Sequence, residues 1–345
     1  MPKRRYVNTD GSSNIKSFAE LRQWQKERRT KNKDLSYKVP RVEPDTARLA
    51  ANRERATLTF VGHSTFLVQL GGLNIVTDPV WANWMGFSRR LSAPGLPIEA
   101  LPPIDVVLLS HAHYDHLHLA SLRRLPGDYV ALVPEGLGDW MRRKGFRRVE
   151  ELSWWEEHRI GAVAFAFVPA RHWTRRTPWD TNTSHWGGWV LRASPQGAPG
   201  EASGDAGHAD SAAAAAASNA AAADTLYFAG DSGYDERLFR EIGERYTGIG
   251  VALLPIGAYE PEWFMKDSHM TPEEAVRAFA DLGAAHFVPM HYDAYRLADD
   301  TAREALDRLQ AAWRQRGLQP ERLWTMALGE TKLWDGEDTA AAARP

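Results

Sequence analysis

Val106-Val107-Leu108-Leu109-Ser110-His111-Ala112-His113-Tyr114-Asp115-His116 reads as a buried strand that runs directly into three histidines and an aspartate. Four side chains able to hold a metal fall within six residues. In extended backbone His111 and His113 point to the same side, because side chains alternate along a strand. A turn into the following helix then brings Asp115 and His116 back towards a neighbouring position. The spacing therefore predicts two adjacent metal positions, one on His111 and His113, the other on Asp115 and His116. Neutral imidazole and carboxylate suit zinc, and manganese and iron as well. The chain has no cysteine, so any metal must be held by nitrogen and oxygen.

Two metals need more than four ligands. His172 follows AFAFVPAR, Asp231 follows LYFAG and His291 follows HFVPM, so each closes a strand-like run. The ends of several strands converge on one sheet edge, where active sites commonly lie. Asp231 is the candidate shared ligand, because a carboxylate can give one oxygen to each metal. His172 would complete the first set and His291 the second. Alone, each would read as a polar loop residue. The histidine-rich turn is what gathers them.

Outward from these residues the pattern is that of a layered α/β sandwich. LTFVGHSTFLVQL, LNIVTDPVW, YVALVP, AVAFAFVP, GGWVLRA, TLYFAGD, VALLPIG and HFVPMH are short runs, rich in β-branched or aromatic residues and punctuated by glycine, proline or aspartate. Helical patterns lie between them, over residues 117–125, 137–144, 234–242, 272–282 and 301–316. Thr271-Pro272-Glu273-Glu274 has the chemistry of a helix start, with a capping threonine, proline at the first position and early acids. Residues 1–55 read as an extension with one helix from about Ser17 to Arg29, docked on a body over 56–338. The stretch 194–224 is almost all Ala, Gly, Ser and small polar residues, too poor in apolar side chains to offset ordering entropy. It is expected to be a disordered insertion between two strands, with His208 inside it not a ligand, and residues 339–345 a frayed tail.

Composition narrows the class further. Of the 345 residues, 43% are hydrophobic and 25% charged, which suits a globular protein with a substantial core. No run of about 18 apolar residues suggests a membrane-crossing helix, and the N-terminus lacks the apolar stretch of a secretory signal. The expected location is the cytoplasm, with at most peripheral contact with the inner face of the membrane. The net charge of −2 carries no polyanion signature, and no nucleic-acid module is visible, so nucleic acid is not expected as a partner. Residues 1–55 nevertheless hold fifteen Lys and Arg against seven Asp and Glu. That excess fits either an anionic surface or a basic helix docked on an acidic body.

HAHYDHL matches the HxHxDH signature of the metallo-β-lactamase fold superfamily, and PARHW, GDS and MHY match its later ligand segments in order. FVGHSTFLV, TDPVW, PARHWTRRT, WGGWV, FAGDSGY and LPIGAYEPEWFMKDSHMTPEEAV resemble the N-acyl-phosphatidylethanolamine-hydrolysing phospholipase D family and its bacterial relatives. The resemblance spans about Tyr6 to His291. It implies a four-layer αββα sandwich, two Zn2+ per chain (Mn2+ or Fe2+ accept the same ligands) and phosphodiester hydrolysis. Carried over residue by residue, His111, His113 and His172 hold one metal, Asp115, His116 and His291 the other, and Asp231 is shared. Ser268 stands where the mammalian enzyme has a glutamine, and the alanine-rich stretch is foreign to the family.

The chemistry expected of such a pair is hydrolysis by water that loses its proton between two divalent ions near neutral pH. Asp115 and Asp231 are candidate catalytic carboxylates. His269, just before a helix start where an anion is favoured, is either a phosphate donor or general acid, or a structural loop histidine. His63 is expected in a buried structural or supporting contact. Asp78 either orients a metal-bound histidine through its other ring nitrogen or makes a turn before proline. The segment from Trp81 to Leu91, with Trp84, Phe87, Arg89 and Arg90, suits a lipid-accepting wall or interfacial patch, or core under a loop. Tyr259, Trp263 and Phe264 raise the same pair of readings. The expected substrate is a phospholipid or a small phosphodiester. The alternatives are a metallo-lactonase or ester hydrolase on a phosphorylated small molecule, and a metal-bearing scaffold. A homodimer stays open.

Overall fold

The computed structural model describes residues 4–193 and 225–334. The stretch 194–224 with His208, and the tail 339–345, lie outside the described residues.

Seven strands make the first sheet, in the order β15-β1-β2-β3-β6-β7-β8: β1 (Thr57–Gly62), β2 (Thr65–Leu70), β3 (Leu73–Thr77), β6 (Val106–Leu108), β7 (Val130–Pro134), β8 (Val149–Leu152) and β15 (Thr331–Leu333). A small hairpin, β4 (Trp84–Met85) and β5 (Ser88–Arg89), stands outside it. The second sheet has the order β14-β13-β12-β11-β10-β9: β9 (Glu157–Ile160), β10 (Val163–Val168), β11 (Gly188–Ala193), β12 (Thr225–Phe228), β13 (Val251–Pro255) and β14 (His286–Met290).

The helices are α1 (Phe18–Arg28), α2 (Thr46–Ala51), α3 (Leu119–Leu122), α4 (Gly138–Arg143), α5 (Glu236–Arg245), α6 (Glu262–Met265), α7 (Pro272–Leu282) and α8 (Ala302–Gln315).

Alternation along the strands builds the layers. In β6 the side chains of Val106 and Leu108 join the core that also contains Phe165, Trp189 and Leu191 of the second sheet. Val107, one step out of phase, joins a second core with Leu49 of α2, Leu122 of α3 and Met141 of α4. On the far side, Phe239 of α5, Phe279 of α7 and Trp313 of α8 cover the second sheet. Each fully buried Leu or Phe contributes about 1.5–3 kcal/mol. The result is the expected four-layer αββα sandwich.

Helix α7 matches the sequence reading to the residue: Thr271 Oγ1 accepts from Glu274 N–H, the Glu274 carboxylate accepts from Thr271 N–H, and Gly283 ends the helix at φ 63°. Two expectations need correction. Residues 1–55 contain α2 as well as α1, started by Asp45 and pinned by the buried Leu49. The helix expected over 117–125 is only the single turn α3, because His118 caps it from within the anticipated span and holds Ser121 N–H at 3.2 Å.

The N-terminal extension docks on the body. An isolated 11-residue helix is marginal in water, and α1 is held by Leu21 and Trp24 against Phe264, Met265 and Ala298. Its basic excess meets acids on the body: Lys16 with Asp267 at 2.6 Å, Lys31 with Asp299 at 3.1 Å and Lys33 with Glu260 at 2.7 Å. Of the two readings of that charge, the docked basic helix is the one observed. Among the described residues no helix is long and apolar enough to cross a membrane.

Strands β3 and β6 are parallel, as are β12, β13 and β14; β10 runs the same way as β12, being antiparallel to the β11 that separates them. Their C-terminal ends therefore share one edge within each sheet.

Candidate metal centre

All seven proposed ligands come together at that edge. After β6 the chain turns through 111–116 and sets His111 Nε2 2.9 Å from His113 Nδ1. His172, beyond the end of β10, brings its Nε2 to 3.2 Å from the same His113 atom. Across from this trio, Asp115 Oδ2 lies 3.4 Å from His116 Nε2 and 3.3 Å from His291 Nε2, the latter residue directly following β14. Asp231, just past β12, sits between the two sets. Its Oδ2 is 3.9 Å from His111 Nε2, 3.8 Å from His172 Nε2, and 3.3 Å from both His116 Nε2 and His291 Nε2. One carboxylate oxygen thus faces both groups.

The donor set fits divalent cations. Within the groups His111–His113–His172 and His63–Asp115–His116–His291, one donor atom per residue lies within 4.8 Å of the others. His116 Nε2 and Asp231 Oδ1 are buried without a hydrogen-bond partner among the described residues. Such orphans cost about 1–3 kcal/mol each unless a ligand satisfies them. Burial, reinforced by neighbouring imidazoles, pushes His111 well below the ordinary histidine range, and burial does the same to His172, so both are neutral as ligands must be. Burial also works against the charged form of His116, but the carboxylates of Asp231, Asp115 and Asp78 outweigh it and hold that ring well above its usual range. His291 is pushed up to about 9 against the same burial, by Asp231 and Asp115. The two carboxylates thus draw positive charge to this point, a demand that two cations would meet.

A supporting set fixes the donors. Asp78, directly after β3 and fully buried, places Oδ2 2.6 Å from His116 Nδ1 and accepts Ser110 N–H on Oδ1 at 2.8 Å. Of the two readings of Asp78, the contact that orients a candidate ligand is the one its hydrogen bonds support. His172 Nδ1 donates to the Ser268 carbonyl at 3.0 Å, which leaves its Nε2 free to bind. His172 N–H donates to Asn8 Oδ1 at 3.0 Å, tying the N-terminal segment to the site. Arg176 Nη1 donates to the carbonyls of Ala112, inside the histidine-rich turn, at 2.7 Å and of Leu117, just after it, at 2.9 Å.

His63 makes the buried supporting contact expected of it, and sequence reasoning passed over Arg176 and Asn8. His63 Nε2 is 3.2 Å from Asp115 Oδ2, inside the second donor group. The signal for it lies in the sequence: Gly62-His63 closes β1, and the strand-end rule that selected His291 applies equally there. His63 and His291 both adopt left-handed backbone, at φ 60° and 64°, and His291 N–H donates to the His63 carbonyl at 3.1 Å. Non-glycine residues held in that region mark a site over-determined by its surroundings. Asp293 accepts His63 N–H at 2.7 Å and helps to impose it.

The remaining candidates sort by contact. His269 Nδ1 lies 3.8 Å from Asp231 Oδ2, and its ring neighbours those of His172 and His291. His185 stacks between Tyr6 and Trp154, and His286 stacks on Trp324, both away from the centre. Between 81 and 91 the readings divide: Trp81 and Arg90 are buried, Arg90 bonding Val80 O and Tyr295 Oη, whereas Trp84 and Phe87 are exposed on the β4–β5 hairpin. Tyr259 is core, while Phe264 and the part-exposed Trp263 lie against each other beside α1.

Comparison with known proteins agrees with this geometry. The family model described as a beta-lactamase superfamily domain matches residues 73–292. An uncharacterised protein of Mycobacterium tuberculosis is 34% identical over 286 residues, covering 79% of this chain and 68% of its own length. N-acyl-phosphatidylethanolamine-hydrolyzing phospholipase D 1 of Caenorhabditis elegans is 31% identical over 299 residues, covering 81% of this chain and 76% of its own. The solved structure of Igni18, a metallo hydrolase of Ignicoccus hospitalis, shares the fold with a TM-score of 0.55 at 23% identity, covering 81% of this chain and 98% of that one. With a family match over well more than half its length and a nematode relative of that identity and coverage, the chain belongs to the metallo-β-lactamase superfamily and is a metal-dependent hydrolase related to the N-acyl-phosphatidylethanolamine-hydrolysing phospholipases D.

Proposed function

We propose that the chain is a binuclear zinc phosphodiesterase of phospholipase D type, hydrolysing N-acyl-phosphatidylethanolamine or a related glycerophospholipid. The observation that carries the binuclear reading is Asp231 Oδ2, within 3.9 Å of donors from both groups. His111, His113 and His172 hold one ion, Asp115, His116 and His291 the other, and Asp231 is shared. The substrate class rests on relatives in Caenorhabditis elegans and Saccharomyces cerevisiae that are named for this hydrolysis.

Two zinc ions bound here would supply a water of lowered pKa and a Lewis acid for the phosphoryl oxygen. Asp115 and Asp231 are the carboxylates placed to take the proton that an attacking water sheds. His269 is pushed down to about 4 by burial, so its ring is neutral near pH 7 and offers an N–H to a phosphate oxygen rather than acting as an acid. Contact with a lipid surface is peripheral and runs through Trp84, Phe87 and Arg89 of the hairpin, whose next strand-side contact is Leu91 N–H to the carbonyl of Ala294, three residues past His291.

The test is metal content of the purified protein together with hydrolysis of N-acyl-phosphatidylethanolamine before and after His113→Ala. Close to two zinc per chain, with phosphatidic acid released by the wild type and lost in the variant, is the expected result. Two metals with turnover of a phosphorylated lactone but no lipid would transfer the reading to the lactonase class. No bound metal after reconstitution would sink it.

A further inference from the structure

Apart from Nε2, which faces the candidate metal position, His172 has two N–H groups, and both lead to the N-terminal segment. Its main-chain N–H donates to Asn8 Oδ1 at 3.0 Å and has no other acceptor among the described residues. Its ring Nδ1 donates to the Ser268 carbonyl at 3.0 Å. The neighbouring Asp267 carbonyl accepts from Asn14 Nδ2, and the Asp267 side chain pairs with Lys16 at 2.6 Å. Residues 8–16 therefore reach this candidate ligand twice, once directly and once through the loop before α7.

Asn8 is built for the direct contact. It is 4% exposed, and the chemistry of its neighbours fixes which way its amide points. Two donors face Oδ1, the N–H of His172 and the Trp186 indole at 3.1 Å, while Nδ2 donates to the Ser12 carbonyl and hydroxyl, each at 3.2 Å. Both ends of the amide are taken, so Asn8 acts on a metal only through His172. Trp186 Nε1 also reaches the Ala170 carbonyl at 3.0 Å and keeps a partner if Asn8 is removed. His172 N–H does not.

The residue before His172 is tied in the same way. Arg171 N–H donates to Ser232 Oγ at 3.0 Å and its carbonyl accepts Gly233 N–H at 2.8 Å, which fixes it to the loop of Asp231. Its guanidinium pairs with Asp10 at 2.7 Å. Residues 171–172 are thus held by the Asp231 loop on one hand and by residues 8–10 on the other. A side chain keeps a narrow orientation when its backbone is gripped in this manner.

We propose that Asn8 is a positioning residue for the first metal position: by holding the His172 backbone it keeps Nε2 beside His111 and His113, and the affinity for the ion there is set from the N-terminal segment. The inference rests on the binuclear reading only for the count of ions. Linkage makes the coupling reciprocal, so an ion at that position also tightens residues 8–16.

The experiment is a zinc titration of the full chain against a chromophoric chelator, resolving two dissociation constants. His172→Ala identifies the constant that belongs to the first position. Asn8→Leu keeps the size and deletes the acceptor; it should weaken the first constant about tenfold or more, the range for an outer partner of a metal ligand, and leave the second within about twofold. Asn8→Asp keeps the acceptor, and its added charge acts on both ions, so the ratio of the two constants should stay within about threefold of wild type. Amide exchange covers the case in which Asn8→Leu misfolds: zinc should slow exchange over residues 8–16 in the wild type and not in His172→Ala. Equal weakening of both ions in Asn8→Leu, an unchanged first constant, or a fall in Asn8→Asp as large as in Asn8→Leu would overturn the positioning role. So would exchange over residues 8–16 that is indifferent to zinc. A single bound ion in the wild type would reject the binuclear reading, and the response of that ion to Asn8→Leu, with rescue by Asn8→Asp, would still decide the role of Asn8.

Discussion

The turn 111–116 and the three later candidate ligands reach one candidate centre by opposite means. The turn packs four donors into six residues behind a single strand, and its immediate neighbours Ser110 and Asp78 hold it. His172, Asp231 and His291 come one each from the ends of β10, β12 and β14, separated by scores of residues. Strand order within the second sheet brings them to one edge, and the stacking of the two sheets brings that edge to the turn after β6. The difference separates two kinds of information. The local cluster by itself points to metal chemistry, whereas on the proposed binuclear reading the dispersed set would govern how many ions are held. Asp231 belongs to the second kind yet touches both donor groups, so the comparison turns on it.

Asp231→Ala should therefore have the largest effect of any single substitution. It removes the oxygen shared by both groups, and bound metal should fall from two per chain towards none, with hydrolysis down on the order of a thousandfold or more. Elemental analysis beside a rate measurement would check it; retention of both ions would break the claim that the dispersed set governs stoichiometry. The next largest effect comes from the pair His113→Ala and His172→Ala. One residue is local and the other remote, but both serve the first group, so each should cost one ion and leave the second. Native mass spectrometry of the two variants should give the same stoichiometry, and a different count for each would mean that the groups are drawn wrongly.

Asp78→Asn sharpens the comparison from the side of the turn. The buried carboxylate fixes His116 through Nδ1, and an amide in its place keeps the shape while losing the charge. Loss of such an orienting partner typically costs ten- to a hundredfold in metal affinity. Competition with a chromophoric chelator would measure it, and affinity within twofold of wild type would show that the ring is held without Asp78.

How much of this was readable before folding follows the same division. His111, His113, Asp115 and His116 were legible because strand alternation followed by a turn fixes their grouping within a few residues. The capping chemistry of α7 is equally local and appeared as read. His172, Asp231 and His291 were suggested by strand ends and by the family resemblance, while their distances to one another depend on strand order in the second sheet, and their distances to the turn on sheet stacking, neither of which a short window contains. The buried supporting contact of His63 was legible, but its left-handed backbone was not, because Asp293 and His291, more than two hundred residues away, impose it. Helix α2 escaped notice because six residues carry too little periodicity, and it is set by the Asp45 cap and one buried leucine. The pairing of the basic extension with Asp267, Asp299 and Glu260 was one of two readings, since charge counts give no partners.

Arg176 asks how self-sufficient the local cluster is. It leaves the loop after His172 and spans to the turn, donating to one carbonyl inside it (Ala112) and one just after it (Leu117), with its guanidinium 4.1 Å from the centre of the Tyr114 ring. If the turn were shaped by its own sequence alone, removing this brace would change only global stability. Arg176→Met keeps most of the apolar stem and deletes two charge-assisted hydrogen bonds, together worth about 3–6 kcal/mol where water does not replace them. The arginine is only part-buried, so water will restore some of that, and the expected loss is smaller, about 1 kcal/mol by denaturant titration. Metal affinity is the more telling readout, and a few-fold weakening of the ion on His111 and His113 is expected, with partial rescue by Arg176→Lys, which can reach one carbonyl but not both. Affinity unchanged beside a lowered denaturation midpoint would mean that the turn holds its own geometry, and that the remote half of the molecule contributes ligands to it but no shape.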